Sequence, residues 1–190
     1  TVKLTILREG EADLLEFNVT REKISVASSS GEMLENDIAY IQITTFGSST
    51  TPELLATLNE LMAQNPKGIV LDLRFNGGGY LQTAVEVTSQ FVAEGVVLYE
   101  QYGDGTRTTY DVMPGGLATD ESIPMVVLIN EGSASASEIV AGALQDLGRA
   151  KLVGVTSYGK GSVQNWIPLN GDNGAVRITI AKWLTPNETT

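Results

Sequence analysis

A hydroxyl, an amine and two tight turns stand where this sequence passes from apolar runs into helical or stranded patterns. In Gly132-Ser133-Ala134-Ser135-Ala136-Ser137-Glu138, small residues leave room for a substrate backbone. A serine opening a helix also sits where the dipole favours a developing negative charge. Ser135 and Glu138 equally have the spacing of a capping box, in which the serine only caps the helix. Gly77-Gly78-Gly79 follows an apolar run and precedes another helical pattern, so consecutive N–H groups there can face an anion. A phosphate loop would continue with Lys and then Ser or Thr, or show a GxGxxG spacing. Here Tyr80, Leu81 and Gln82 follow, which leaves an oxyanion site or a plain tight turn.

The third stretch, Ser157-Tyr158-Gly159-Lys160-Gly161-Ser162-Val163-Gln164, sets a lysine between two glycines ahead of an alternating strand. Such a lysine is either an ordinary solvated cation or, with its turn against the core, a desolvated amine able to take a proton. The second role needs a pKa about 3 units below that of a free lysine, roughly 4 kcal/mol against the charged form. Burial can supply that and exposure cannot.

Composition narrows the choice. The 190 residues include no His and no Cys. A Ser-His-Asp triad, a thiolate nucleophile and His- or Cys-ligated zinc are therefore excluded, and serine with a neutral lysine is the hydrolytic pair that remains. Lys plus Arg number 12 and Asp plus Glu 23, giving a net charge of -11. That balance argues against nucleic acid and anionic lipid, whose binding needs clustered positive charge. It keeps the chain soluble and is of the sign that draws cationic substrates. No apolar run reaches the roughly 18 residues of a membrane span, and TVKLTILREG has neither region of a signal peptide. A start inside strand-like alternation suggests a segment cut from a longer chain, so a lost export signal stays open.

The supporting elements follow from hydrophobic period. Residues 2–7 and 13–18 alternate around Glu9-Gly10-Glu11 and read as a hairpin. Residues 23–27 (KISVA) and 38–44 (IAYIQIT) read as strands, with the polar SSSGEMLEND of 28–37 a surface loop between them. Thr51-Pro52-Glu53 marks a helix start, with Thr51 as cap, and Leu54, Leu58 and Leu61 form its apolar face up to Asn65-Pro66-Lys67-Gly68. Residues 69–73 and 125–129 are continuous apolar runs of the kind covered on both faces, each followed by a turn and a helix. Strands at 96–99, 107–112, 152–155, 163–168 and 175–183 complete a single α/β domain.

In this order, DLRFNGGG (Asp72 to Gly79), GSASASEIVAGALQD (Gly132 to Asp146) and SYGKGSVQ (Ser157 to Gln164) resemble the C-terminal processing peptidases, or tail-specific proteases, a Ser-Lys family. The resemblance covers essentially the whole chain. It implies an α/β fold: a crotonase- or Clp-protease-like core of strand-turn-helix units with an additional β-rich N-terminal part. It implies one protease core domain over 1–190, of which residues 1–8 are similar to the last strand of a PDZ domain that is otherwise absent. Carried over, the nucleophile is Ser135, the general base Lys160 and the residue orienting that lysine Gln164, while the N–H groups of Gly79 and Ala136 form the oxyanion hole. Glu138 and Asp146 are then structural acids that position the lysine loop or the helix.

The same resemblance implies no metal or organic cofactor. Its substrate is a protein or peptide with an accessible, often apolar C-terminal tail, with no nucleic-acid partner and no stable membrane insertion. The implied location is extracytoplasmic, in a periplasm, cell envelope or thylakoid lumen. The chain departs from the family pattern at Phe75 and Gly77, where a second Asn and a Pro are common, and in the continuation after Thr185-Pro186. Two alternatives stay open: a non-catalytic relative of this fold that binds apolar ligands or peptides, and a core that is inactive until joined to its PDZ domain.

Overall fold

A computed structural model of the chain describes residues 1–24 and 26–189, with Asp172 by its backbone alone. Strands β1 (Val2–Ile6) and β2 (Leu15–Val19) form the expected antiparallel hairpin. Next come β3 (Ser29–Leu34) and β4 (Ile38–Ile43), paired antiparallel, then helix α1 (Thr50–Met62) and β5 (Gly68–Asp72). Beyond the glycine turn are α2 (Leu81–Thr88), β6 (Val96–Tyr102), β7 (Arg107–Asp111) and β8 (Met125–Ile129). Helix α3 (Ala136–Asp146), β9 (Lys151–Gly154), β10 (Ser162–Pro168) and β11 (Ala175–Leu184) complete the chain.

Two sequence expectations fail in the first part. The strand expected at 23–27 is absent at the described positions, Ser25 lying outside them, and Ile24 and Val26 stand 80% and 78% exposed. The strand forms instead at 29–34, inside the stretch expected to be a surface loop. The reason is the partner rather than the pattern: β3 pairs along β4 and lies under α1. A Cβ on Gly31 would meet Thr57 Cγ2 at 2.7 Å, so glycine is what lets the helix approach. The helix also starts one residue earlier than its apparent cap. Thr50 Oγ1 accepts the Gly47 N–H and donates to the Thr45 carbonyl, and Thr51 is helical.

One sheet has the order β3-β4-β5-β8-β9, with β4, β5, β8 and β9 parallel; the other, β10-β11-β6-β7, is antiparallel. The continuous apolar runs become the central strands, with Leu71 and Val127 fully buried. Helix α1 packs on β3 and β4, α2 on α3, and α3 touches both β9 and β6. Its small residues explain that position: Ala136 to Ala141, Ala143 and Leu144 are all buried, so α3 is surrounded rather than half-exposed. Leu54, Leu58, Ile41 and Ile43 are also fully buried, each worth about 1.5–3 kcal/mol as an upper estimate. Among the described residues no helix is long and apolar enough to cross a membrane.

Parallel pairing decides where the turns go. Because β5, β8 and β9 are neighbours running the same way, the glycine turn, the serine turn and the lysine loop all leave the same carboxyl edge of the sheet. In open α/β sheets that edge is where ligands bind.

Candidate active site

The glycine turn is held from beneath by two buried polar side chains that local sequence pattern does not reveal. Asp72, at the end of β5, accepts the Tyr40 hydroxyl and a bidentate pair from the Arg74 guanidinium, and its Oδ1 also takes the Arg74 N–H. Burial alone would raise its pKa, but the hydrogen bonds from Arg74 and Tyr40 outweigh that and hold it below the usual carboxylate value. Asn76 is fully buried; its Nδ2 donates to the Ile43 carbonyl and its Oδ1 accepts the Gly78 N–H. The turn then runs beside the end of β4, where Phe46 N–H bonds Gly78 O and Tyr80 N–H bonds Phe46 O. Both bonds run through the neighbours of Gly79, whose own N–H stays outside the bridge. A Cβ on Gly79 would overlap the Phe46 carbonyl oxygen, so no side chain fits here.

The serine turn is stitched to the glycine turn across nearly sixty residues of sequence. Asn130 Oδ1 accepts the N–H groups of Phe75 and Gly132, and Ser133 Oγ donates to Leu73 O. The Asn76 carbonyl accepts both the Ala134 N–H and the Ser137 hydroxyl. The two backbones touch: a Cβ on Gly78 would stand 2.6 Å from Ala134 O and 2.9 Å from Ala136 N. Of the three serines, then, Ser133 and Ser137 are spent on structure. Ser135 is half-buried and has φ 56 and ψ -114, a conformation that costs an L-residue about 1–3 kcal/mol and recurs at strained strand-to-helix turns that project a nucleophile. As the first helical residue, Ala136 has no carbonyl inside the helix for its N–H. Among the described residues both expected oxyanion donors are thus free backbone groups on touching turns.

The capping-box geometry is present on both sides, though no side-chain cap hydrogen bond is made by Ser135. Glu138 Oε2 accepts the Ser135 N–H at 2.6 Å, whereas the Ser135 side chain faces the Glu138 N–H without reaching a hydrogen bond. Glu138 also holds the lysine loop, as expected of a structural acid. Its carboxylate accepts the Ser157 hydroxyl at 2.8 Å and the N–H groups of Gly159 and Lys160 at 2.6 and 2.9 Å. The loop is further fixed by Tyr158 N–H to Ser133 O and by the buried Trp183 indole to Lys160 O. Asp146, by contrast, accepts Asn187 N–H at the far end of α3 and takes no part in the site.

These turns enclose a cavity of about 170 Å³ whose wall includes Ser135, Lys160, Gly79, Ala136 and Gln164. A larger cavity of about 790 Å³ lies beyond Lys160 and excludes Ser135 and both free N–H groups, so the chemistry belongs to the smaller one. Lys160 is half-buried, and among the described residues its amine makes no hydrogen bond or ion pair. Gln164 sits at a β-bulge on β10; its Nε2 lies 3.4 Å from Thr179 Oγ1, and no bond to Lys160 is made. Among the described residues no three acids converge as a metal site would require. The arrangement brings a serine, a lysine and two residues with N–H groups to the wall of one space, the set that acyl transfer uses.

Residues 37–190 match the model of Peptidase family S41. The chain is 44% identical over 195 residues to the carboxy-terminal-processing protease of Bartonella bacilliformis, covering 99% of this chain and 44% of that protein. It is 37% identical over 193 residues to the carboxy-terminal processing protease CtpB of Bacillus subtilis, covering 98% and 39%. The chain thus spans less than half the length of these relatives. Its structure matches that of a photosystem II D1 C-terminal processing protease with a TM-score of 0.78 at 30% identity, over 93% of this chain and 48% of that one. The family match takes in all three turns and most of the chain, and the chain belongs to peptidase family S41.

Proposed function

We propose that this chain is the catalytic core of a serine endopeptidase that cleaves protein substrates near their C-terminal tails. The carrying observation is that Ser135 and Ala136 of the serine turn, Gly79 of the glycine turn and Lys160 of the lysine loop line one cavity at the carboxyl edge of the sheet. Neutral Lys160 takes the proton of Ser135 as its Oγ attacks the scissile carbonyl, and the two N–H groups receive the oxyanion. Lys160 then gives the proton to the leaving amine, and water hydrolyses the acyl-enzyme with the lysine again as base. Substrate filling the cavity removes the remaining water from the half-buried amine. Gln164 supplies the acceptor that orients that amine, exchanging its long contact with Thr179, which costs little to give up.

Residues 1–190 act in this reading as one core, with residues 1–8 belonging to the end of a PDZ domain that presents the substrate tail. The compartment is extracytoplasmic, and the relatives named as processing proteases support both the tail specificity and the reaction class. A fluorophosphonate probe and a quenched peptide test it directly. Ser135→Ala should abolish labelling and cleavage, and Lys160→Ala should lower both by about 10³-fold. Labelling and peptide binding indifferent to both substitutions would leave a binding module of the same fold. Cleavage seen only when a PDZ domain is joined would identify a dependent core.

A further inference from the structure

The wall of the serine cavity has a charge opposite to that of the molecule. In a chain with 23 acidic and 12 basic residues, it contains Lys160 and Arg177 and no acidic side chain. With Lys160 assigned to proton transfer in the proposed reaction, Arg177 is the further positive charge facing the substrate. Arg177 lies on β11 opposite Trp166 of β10, with its guanidinium 5.7 Å from the centre of the exposed indole ring. That contact orients the planar cation and leaves its N–H edge unspent. Among the described residues Arg177 makes no ion pair, although acids outnumber bases almost two to one.

We infer that Arg177 is a specificity-determining residue that receives a carboxylate of the bound peptide at the mouth of the catalytic cavity. The inference rests on the peptidase reading for its ligand class. A guanidinium matches a carboxylate with two parallel N–H donors, and the absence of acids around it removes any competitor within the cavity. The carboxylate is either the free C-terminus of the tail or an Asp or Glu side chain near the scissile bond, chemically the same group at different positions. Net acidity of the chain repels such peptides at long range, so the local cation selects those that place the charge at this one spot.

Fluorescence anisotropy on the full chain carrying Ser135→Ala separates these sources without relying on turnover. The probes are labelled peptides of one sequence, ending in a free acid or a carboxamide, and the same pair with an internal Glu or Gln. The acid should bind about fivefold more tightly than its neutral counterpart, a ratio falling to near one on adding Arg177→Gln and partly kept by Arg177→Lys, as expected of an accessible ion pair. A ratio tied to the terminus identifies the tail carboxylate, and one tied to the internal residue identifies a side chain. Equal ratios with and without Arg177, or no binding of any peptide, would overturn the inference. Fluorophosphonate labelling of unsubstituted Ser135 reports the peptidase reading independently, because that probe carries no carboxylate.

Discussion

The two halves of the site are built by different means. On the serine side, the buried Asn76, Asn130, Ser133 and Ser137 spend polar atoms on backbone groups of the two turns and of the end of β4. On the lysine side, residues 153–156 and 158–159 are exposed, and the loop hangs on Glu138, Ser133 O and Trp183. In the proposed reading the nucleophile and both oxyanion donors are therefore set before substrate arrives. The amine is placed only at its backbone, and its side chain keeps the freedom to settle on the substrate. Rigidity is concentrated where charge will develop, which is where preorganisation returns the most.

That contrast orders the substitutions. Gly79→Ala should be worst, since its Cβ overlaps Phe46 O and displaces a donor; peptide cleavage should fall by about 10²–10³-fold. Asn76→Ala strands the Ile43 carbonyl and the Gly78 N–H in the interior and should cost about 3 kcal/mol in denaturant unfolding, with the serine side loosened as a unit. Glu138→Gln keeps the shape but turns an acceptor of four donors into a group with N–H atoms of its own. It should cost about 2 kcal/mol and slow serine labelling by about tenfold.

Acid should act next. Asp72 has a folded pKa below its unfolded value, so its contribution is fully present above about pH 4 and is lost as pH falls through the folded value. Melting temperature against pH should therefore drop less steeply on the acid side in Asp72→Asn than in the parent. Smallest is Gln164→Ala on the exposed hairpin, expected to change stability by less than about 0.5 kcal/mol and cleavage by less than about tenfold. A larger stability loss there would erase the contrast between the halves.

The sequence showed the central strands and helices because those elements carry their cause with them. The runs at 69–73 and 125–129 are apolar enough to be covered on both faces, and the periods of α1 and α3 are regular. It misled at 23–34 because strand formation there depends on a partner. KISVA alternates but pairs with nothing at its described residues, whereas the polar SSGEML has β4 beside it and α1 above it. Ser135, Lys160, Gly79 and Ala136 were named from three separate stretches through a family resemblance, and the fold brings all four to one cavity wall. Asn76, Asn130 and Asp72 were not legible, since Asn76 and Asn130 reach backbone groups, and Asp72 the Tyr40 hydroxyl, that only the fold brings near. A polar residue ending an apolar strand, as Asp72 and Asn130 do, is the signal that could have marked them.

Glu138 grips the amide of Ser135 with the same carboxylate that grips Gly159 and Lys160, so one fastener closes both arms. Loosening the lysine arm therefore disturbs one hold on the Ser135 amide, while Asn76, Asn130, Ser133 and Ser137 keep the rest of that turn in place. Heating or proteolysis of the 155–161 segment should lower serine labelling in step with the loss of that segment while the helix itself stays folded.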